Sequence, residues 1–224
     1  MDALIDSGAD RKIPTHETTY VQLRDMVLTG GLVPGQAVTI QGLTRDLGAG
    51  MTPVREAIRR LTAEGALQLH GNRRVSVPRL TPELLEQIAF ARLTIEPKIA
   101  ELAAPRLTAE KIAELAAIDA MIDPAIEQND IPAYLTGNHR FHFVLYEASG
   151  AQALADIAQS LWLRFGPSLR VVAERYRAGR LTDQHSHALK AMRAGDARAL
   201  AAAVQSDIAQ GIDQVRAALA AGEI

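Results

Sequence analysis

The chain has 224 residues, of which 48% are hydrophobic and 22% are charged, and its formal net charge at pH 7 is -2. This profile predicts a globular protein of two compact domains, and the absence of cysteine excludes disulfides, thiolate metal sites and cysteine nucleophiles. The acidic first residues and the lack of a long apolar run exclude a secretory signal and a membrane span, so we expect a cytoplasmic protein.

The first third of the chain predicts three helices after a flexible arm. Residues 1–14 lack periodic apolar positions and form the predicted arm. From position 17 apolar residues recur at helical spacing, and a second, short helix is expected near 40–47. Thr52 and Pro53 predict the start of the third helix, with Thr52 as its N-cap and Pro53 at the first helical position.

A β-hairpin follows these helices. Residues 67–69 and 75–77 alternate apolar and polar side chains around a basic tip. Helices across a glycine-containing turn, followed by a hairpin, are typical of a winged helix-turn-helix, so we assign 15–78 to a DNA-binding domain. Its basic patch consists of Arg45, Arg55, Arg59, Arg60, Arg73, Arg74 and Arg79, which outnumber Asp46, Glu56 and Glu64. The alternative is that these arginines only form a solvated surface.

The rest of the chain predicts helices alone. Residues 79–82 form a linker between prolines, and 83–224 show helical periodicity broken by prolines and glycines. We expect six helices packed as an antiparallel bundle. The predicted fold class is therefore mostly α, with a small hairpin wing in the N-terminal domain.

Several polar residues fall on apolar faces of the predicted bundle, where burial without a partner is costly. They are Arg92, Asn138, His142, His185 and Asp207. The last four could share a divalent metal ion, and this mixture of nitrogen and oxygen donors suits zinc, nickel, manganese or iron. The alternative is that each histidine is a buried residue bonded to a backbone carbonyl. Arg92 could bind a carboxylate ligand or pair with Glu96 one turn away.

The stretch from Tyr20 to Pro78 closely resembles the N-terminal domain of the GntR family of regulators. The matching words are Leu32-Val33-Pro34-Gly35, Thr52-Pro53-Val54-Arg55-Glu56-Ala57 and Glu64-Gly65. The resemblance implies that Thr52 and Arg55 contact DNA and that His70 and Gly71 lie at the wing tip. The full set of predicted DNA contacts is Arg45, Thr52, Arg55, Arg59, His70, Gly71 and Arg73. Gly50-Met51 replaces the Ser-Arg that is common in the family, so the operator cannot be inferred from relatives.

Residues 82 to 220 resemble the FCD effector domain of the FadR-type branch of this family. The similarity lies in Arg92-Leu93-Thr94-Ile95-Glu96-Pro97, in Asn138 to His142, in His185 and in Gly195-Asp196. Members commonly use one aspartate and three histidines as metal ligands, whereas here Asn138 and Asp207 replace the aspartate and the last histidine. The resemblance implies an organic-acid effector whose carboxylate completes the metal shell. Arg92 offers a bidentate partner for the same kind of group.

Together these features predict a transcriptional repressor that binds a double-stranded DNA operator as a homodimer and responds to a small carboxylate effector. One alternative is a metal-dependent helical-bundle hydrolase or oxygenase that uses His142, His185 and Asp207, although no spare general base or nucleophile motif accompanies them. Another is a scaffold whose basic hairpin contacts proteins. DNA binding that weakens steeply with salt would distinguish the regulator from both.

Overall fold

The computed structural model describes residues 15–71, 74–175 and 183–224. The predicted arm at 1–14 and the predicted DNA contact Arg73 lie outside these residues. The N-terminal part contains helices α1 (Thr15–Leu28), α2 (Ile40–Leu47) and α3 (Met51–Ala63) and strands β1 (Ala37–Val38), β2 (Gln68–Leu69) and β3 (Val75–Ser76).

The apolar faces of α1 and α3 meet in a first hydrophobic cluster. Leu23 and Val27 of α1 and Val54 and Leu61 of α3 are fully buried there. The members of the first pair are four residues apart and those of the second seven, which places each pair on one side of its helix. The cluster fixes one side of α3, and the opposite side of this helix faces solvent.

The start of α3 differs from the prediction. Its N-cap is Gly50, which has no side chain to cap with, and the first helical residue is Met51. Thr52 is therefore not the N-cap and Pro53 is not at the first helical position, so both predictions were wrong. Pro53 is tolerated two positions later because first-turn N–H groups have no intrahelical partner.

The predicted hairpin is present and gains a third strand. β2 and β3 pair antiparallel, with Leu69 opposite Val75. β1 pairs with the other edge of β3, with Val38 opposite Val75. The sequence analysis did not predict β1 because two residues are too few to show an alternating pattern.

Helices make up the described C-terminal part. They are α4 (Pro82–Ala103), α5 (Ala109–Asp119), α6 (Ile122–Glu127), α7 (Ile131–Ala148), α8 (Gln152–Arg175), α9 (Gln184–Ala194) and α10 (Ala197–Ala220), with a 3-10 turn at Ala104–Arg106. The described residues from Pro82 onward thus contain seven α-helices where six were expected, because α6 has only six residues and shows no repeated apolar pattern. Across the same residues, no helix has the length and apolar character that crossing a membrane requires.

Side-chain caps set the beginnings of these helices. Thr81, Thr108, Asp130, Asp183 and Asp196 each accept a hydrogen bond from a backbone N–H in the first turn of the helix that follows. Inside the bundle, α4 packs along α8 and α10 and also touches α7. Polar residues on these packed faces consequently point at one another within a second, larger hydrophobic cluster.

Candidate metal centre and nucleic-acid interface

Helix α7 carries His142 into the middle of the bundle, where its side chain is 1% exposed. Its Nδ1 lies 3.1 Å from the hydroxyl of Tyr146, one turn further along the helix. Its Nε2 lies 2.9 Å from Oδ2 of Asp207 on α10. The hydroxyl of Tyr146 donates to Glu96 at 2.6 Å, so the phenolic oxygen is left to accept from Nδ1–H of His142.

Helix α9 brings His185 to the same place. Its Nδ1 lies 3.1 Å from Oδ1 of Asp119, at the end of α5, and its ring stacks on Phe141 with centroids 4.0 Å apart. Its Nε2 is buried and makes no hydrogen bond to any described residue. Oδ1 of Asp207 lies 4.0 Å from that nitrogen.

Three of the four predicted ligands therefore converge. Donor atoms of His142, His185 and Asp207 all lie within 4.8 Å of one another, and we call these three residues the metal centre. Tetrahedral zinc would separate its nitrogen and oxygen ligands by about 3.3 Å, so small side-chain adjustments suffice. The fourth predicted ligand, Asn138, is buried one turn before His142 on α7 and stays a prediction.

Charges in the metal centre already favour a cation. Burial acts to lower the pKa of His185, but its hydrogen bond to Asp119 and the nearby carboxylates outweigh burial and raise it. Burial acts in the opposite sense on Asp207, whose pKa is nevertheless lowered by its hydrogen bond to His142 and by nearby positive charge. Burial, and then the charge of Asp207, raise the pKa of Tyr134 to about 12.

Arg92 is 2% exposed and forms an ion pair with Glu96, which is fully buried. Nε of Arg92 lies 2.5 Å from Oε1 of Glu96, and Nη2 lies 3.3 Å from Oε2. The guanidinium group also lies 4.4 Å from the ring of Trp162 and 4.7 Å from that of Phe165. The contacts thus match the ion pair that the sequence left as the alternative to effector binding.

Three residues of this site were missed by the sequence analysis: Asp119, Tyr146 and Trp162. Asp119 is the last residue of its helix, and Tyr146 and Trp162 resemble ordinary core aromatics in sequence. Tyr146 lies four residues after His142, which is the one signal that could have found it. The partners of the other two are more than 60 positions away.

The predicted DNA-contacting residues of α2 and α3 are exposed. Thr52 and Arg55 face solvent, as does Arg45, whose Nε lies 3.4 Å from the neighbouring Asp46. Arg59 is also exposed and donates to Glu56 at 2.6 and 3.0 Å, so a phosphate would have to compete with that carboxylate.

In the wing, His70 and Gly71 are exposed at the described edge of the hairpin tip. Nε2 of His70 lies 2.8 Å from the hydroxyl of Ser76, which holds the imidazole against β3. The backbone N–H of His70 donates to the carbonyl of Arg74. The wing therefore presents these residues on the solvent side of the domain.

Comparison with known proteins gives matches to both parts of the chain. Residues 15–77 match the model for bacterial regulatory proteins of the gntR family, and residues 87–210 match that for the FCD domain. The HTH-type transcriptional regulator McbR of Escherichia coli K12 is 30% identical over 152 residues, which is 68% of this chain and 69% of McbR. An uncharacterised HTH-type regulator of Bacillus subtilis 168, YdhC, is 23% identical over 69% of each protein.

Solved structures agree with these matches. The structure of Escherichia coli McbR/YncC is similar with a TM-score of 0.83 and 25% identity, covering 95% of this chain and all of the other. That of a GntR regulator from Rhodococcus sp. RHA1 is similar with a TM-score of 0.73 and 20% identity, covering 92% and 99%. The second likeness shows the fold alone.

Proposed function

The chain belongs to the GntR family of bacterial transcriptional regulators, in the branch with an FCD domain, and we propose that it is a repressor controlled by a small carboxylate effector at the metal centre. Its domains and relatives are regulators, so the enzyme alternative has no support. We place its action in the cytoplasm, because operator DNA lies there.

The buried Nε2 of His185 is the observation that supports a divalent ion. Its other nitrogen is bonded to Asp119, so Nε2 is the atom left to bind a metal ion. His142 gives a second argument. A lone pair on its Nε2 would repel the carboxylate oxygen of Asp207 at 2.9 Å unless a proton or metal ion lay between them.

The residues of the metal centre, with Asn138 as a fourth donor, suit zinc, nickel, manganese or iron. When bound, the ion supplies positive charge for the effector carboxylate. The pair with Glu96 uses Nε and Nη2 of Arg92, so a second carboxylate would have to bind the remaining N–H groups or open the pair, and this role of Arg92 stays a prediction. Elemental analysis of purified protein tests the centre: we expect about one ion per chain, and loss of that ion in His142→Ala.

Operator binding is proposed to use the exposed residues Thr52 and Arg55 with the wing. Arg55 is the best test because its side chain is exposed on α3. With duplex DNA from the region upstream of the gene, we expect affinity to fall steeply as salt rises. Arg55→Ala should weaken specific binding by roughly 1–3 kcal/mol.

The control for that experiment is Arg193→Ala, which removes an exposed arginine at the end of α9. It should leave DNA affinity unchanged. Equal losses in both variants, or binding that ignores salt, would contradict the proposed interface.

We further propose a homodimer, which would match a palindromic operator. Phe90 on α4 is 75% exposed, and covering this ring with a second copy would remove apolar surface from water. Light scattering of the purified protein should give twice the 24.1 kDa mass of one chain. If the Phe90→Ser variant still had the mass of a dimer in dilute solution, dimerisation would not depend on this ring.

A further inference from the structure

Glu96 is a buried residue beside the metal centre that gathers several hydrogen bonds. It is fully buried on α4 and accepts hydrogen bonds from three different residues. Arg92 donates at 2.5 and 3.3 Å, Tyr146 at 2.6 Å and Trp162 at 2.9 Å. A buried carboxylate with this many donors is held in one position, and a change at any donor is felt by the others.

One branch of this network leads to the metal centre. Because the only hydroxyl proton of Tyr146 is given to Glu96, the phenolic oxygen accepts from Nδ1–H of His142. Nε2 is then the nitrogen that His142 presents toward Asp207. Glu96 thus determines, through Tyr146, which nitrogen of His142 is available to a metal ion.

The other branch leads to the DNA-binding domain. Trp162 lies on α8, in the C-terminal part of the chain, but it is 3% exposed within the first hydrophobic cluster, among residues such as Leu23 and Leu61. Leu61 belongs to α3, the predicted recognition helix. The ring of Trp162 also lies 5.1 Å, between centroids, from that of His142.

We propose that Glu96 couples the metal centre to the DNA-binding domain. Through Tyr146 it positions His142, and through Trp162 it contacts the hydrophobic core on which α3 rests. Occupation of the centre fixes His142 and thereby shifts the balance between arrangements of that core. This inference rests on the proposed function, since it supplies the route by which the metal centre would control operator binding.

Trp162 is the only tryptophan of the chain, so its emission reports on this network. We would titrate the full chain with zinc ions alone, following heat by calorimetry and tryptophan emission in parallel. Zinc is chosen because it is redox-inactive. In the natural sequence the heat and the tryptophan emission should change with one midpoint. Helix α1 packs in the same hydrophobic cluster as Trp162, so hydrogen exchange of its backbone amides should slow when zinc is added.

Two variants separate the branches. Tyr146→Phe keeps the ring but removes the hydroxyl, and should weaken zinc binding roughly 10- to 100-fold. Tyr20→Phe is its matched control, since it removes a hydroxyl that donates to Glu64 within the DNA-binding domain and not to Glu96, and zinc affinity should not change. Trp162→Phe should still bind zinc by calorimetry, but at saturating zinc it should lose the slowing of α1 exchange. Circular dichroism confirms that each variant is folded.

The outcomes distinguish this inference from the proposed function. Natural zinc affinity in Tyr146→Phe, or a natural α1 response in Trp162→Phe, overturns the coupling while the metal centre stands. If separate titrations with zinc, nickel, manganese and iron(II) show no binding to the natural sequence, both the coupling and the metal centre are overturned. No α1 response to a bound ion overturns the coupling alone.

Discussion

His142 and His185 are oriented in the same way, by a hydrogen bond at one nitrogen of each ring. In each ring Nδ1 is bonded to a neighbour, Tyr146 or Asp119, and Nε2 is turned toward Asp207. Such outer hydrogen bonds fix the orientation of a metal-binding imidazole and raise its basicity. The donors were predictable because they lie on apolar helical faces, but the residues that orient them were not.

Asp119→Asn tests this orienting hydrogen bond at His185. The amide oxygen can still accept from Nδ1, but it carries no charge, so His185 becomes a weaker donor to the metal. We expect metal affinity to fall by roughly tenfold, measured by calorimetry. The control is Glu127→Gln, which neutralises an exposed carboxylate on α6. Equal affinities for Asp119→Asn and the natural sequence would show that Asp119 does not support the centre.

Arg92→Met tests whether Arg92 stabilises the fold through its ion pair with Glu96 or is available to bind an effector. Removing the guanidinium leaves the Glu96 carboxyl group fully buried without its ion-pair partner. We expect the free energy of unfolding in urea, without metal or effector, to fall by about 3–5 kcal/mol.

Arg216→Met provides the comparison for Arg92→Met. Arg216 pairs with Glu86 at the surface, where such pairs contribute at most about 1 kcal/mol. If both variants lost equally little stability, Arg92 would be free to serve an effector, as the sequence resemblance implies.

Helices and strands were predicted well where they are long and periodic. The helices of the winged domain and the bundle follow from apolar spacing, and the β2–β3 hairpin follows from alternation. The misses are short or local. β1 and α6 are too short to repeat an apolar pattern. The start of α3 was misplaced because Thr52 and Pro53 suit the N-cap and first position as well as they suit the first turn itself.

Because Thr52 is not the N-cap of α3, its effect on the stability of the fold can be measured separately from its proposed contact with DNA. Thr52 does not cap its helix, so Thr52→Ala should change the free energy of unfolding by less than about 0.5 kcal/mol. Thr39 does cap α2, accepting from Gly42 N–H at 3.0 Å, so Thr39→Ala should cost about 1 kcal/mol.

Urea unfolding and DNA titration of the same two variants complete the comparison. If Thr52 contacts DNA as proposed, Thr52→Ala weakens operator binding although the fold keeps its stability. A loss of stability in Thr52→Ala as large as that in Thr39→Ala would mean that Thr52 has a capping role after all.

On the scale of the whole molecule, the two parts of the chain are packed against each other along α8. Trp162 and Leu163 complete the first hydrophobic cluster, and Nε of Arg164 donates to the carbonyl of Glu64 at 3.2 Å. None of these contacts could be predicted, because they join positions about 100 residues apart with no shared periodicity. The sequence thus predicted two domains and a ligand set, but not the surface between them.

Gly166 is one of the close-packed positions of that surface. A Cβ atom at this position would lie 3.1 Å from the carbonyl oxygen of Leu28, the last residue of α1. Gly166→Ala should therefore push α1 away from α8. The loss of packing free energy should exceed the gain in helix propensity, which is about 1 kcal/mol for alanine over glycine. We expect its melting temperature to fall by a few degrees, or its calorimetric transition to split in two.

Gly211→Ala is the matched control for this substitution, since Gly211 also lies inside a helix, α10. Its added Cβ would lie 3.8 Å from Leu169, an ordinary contact, so only the propensity gain remains and the melting temperature should rise. Opposite shifts for two identical substitutions would locate the effect in the packing of α1 against α8. If Gly166→Ala instead matched Gly211→Ala, the two parts of the chain would be joined too loosely at this point for Trp162 to transmit a change.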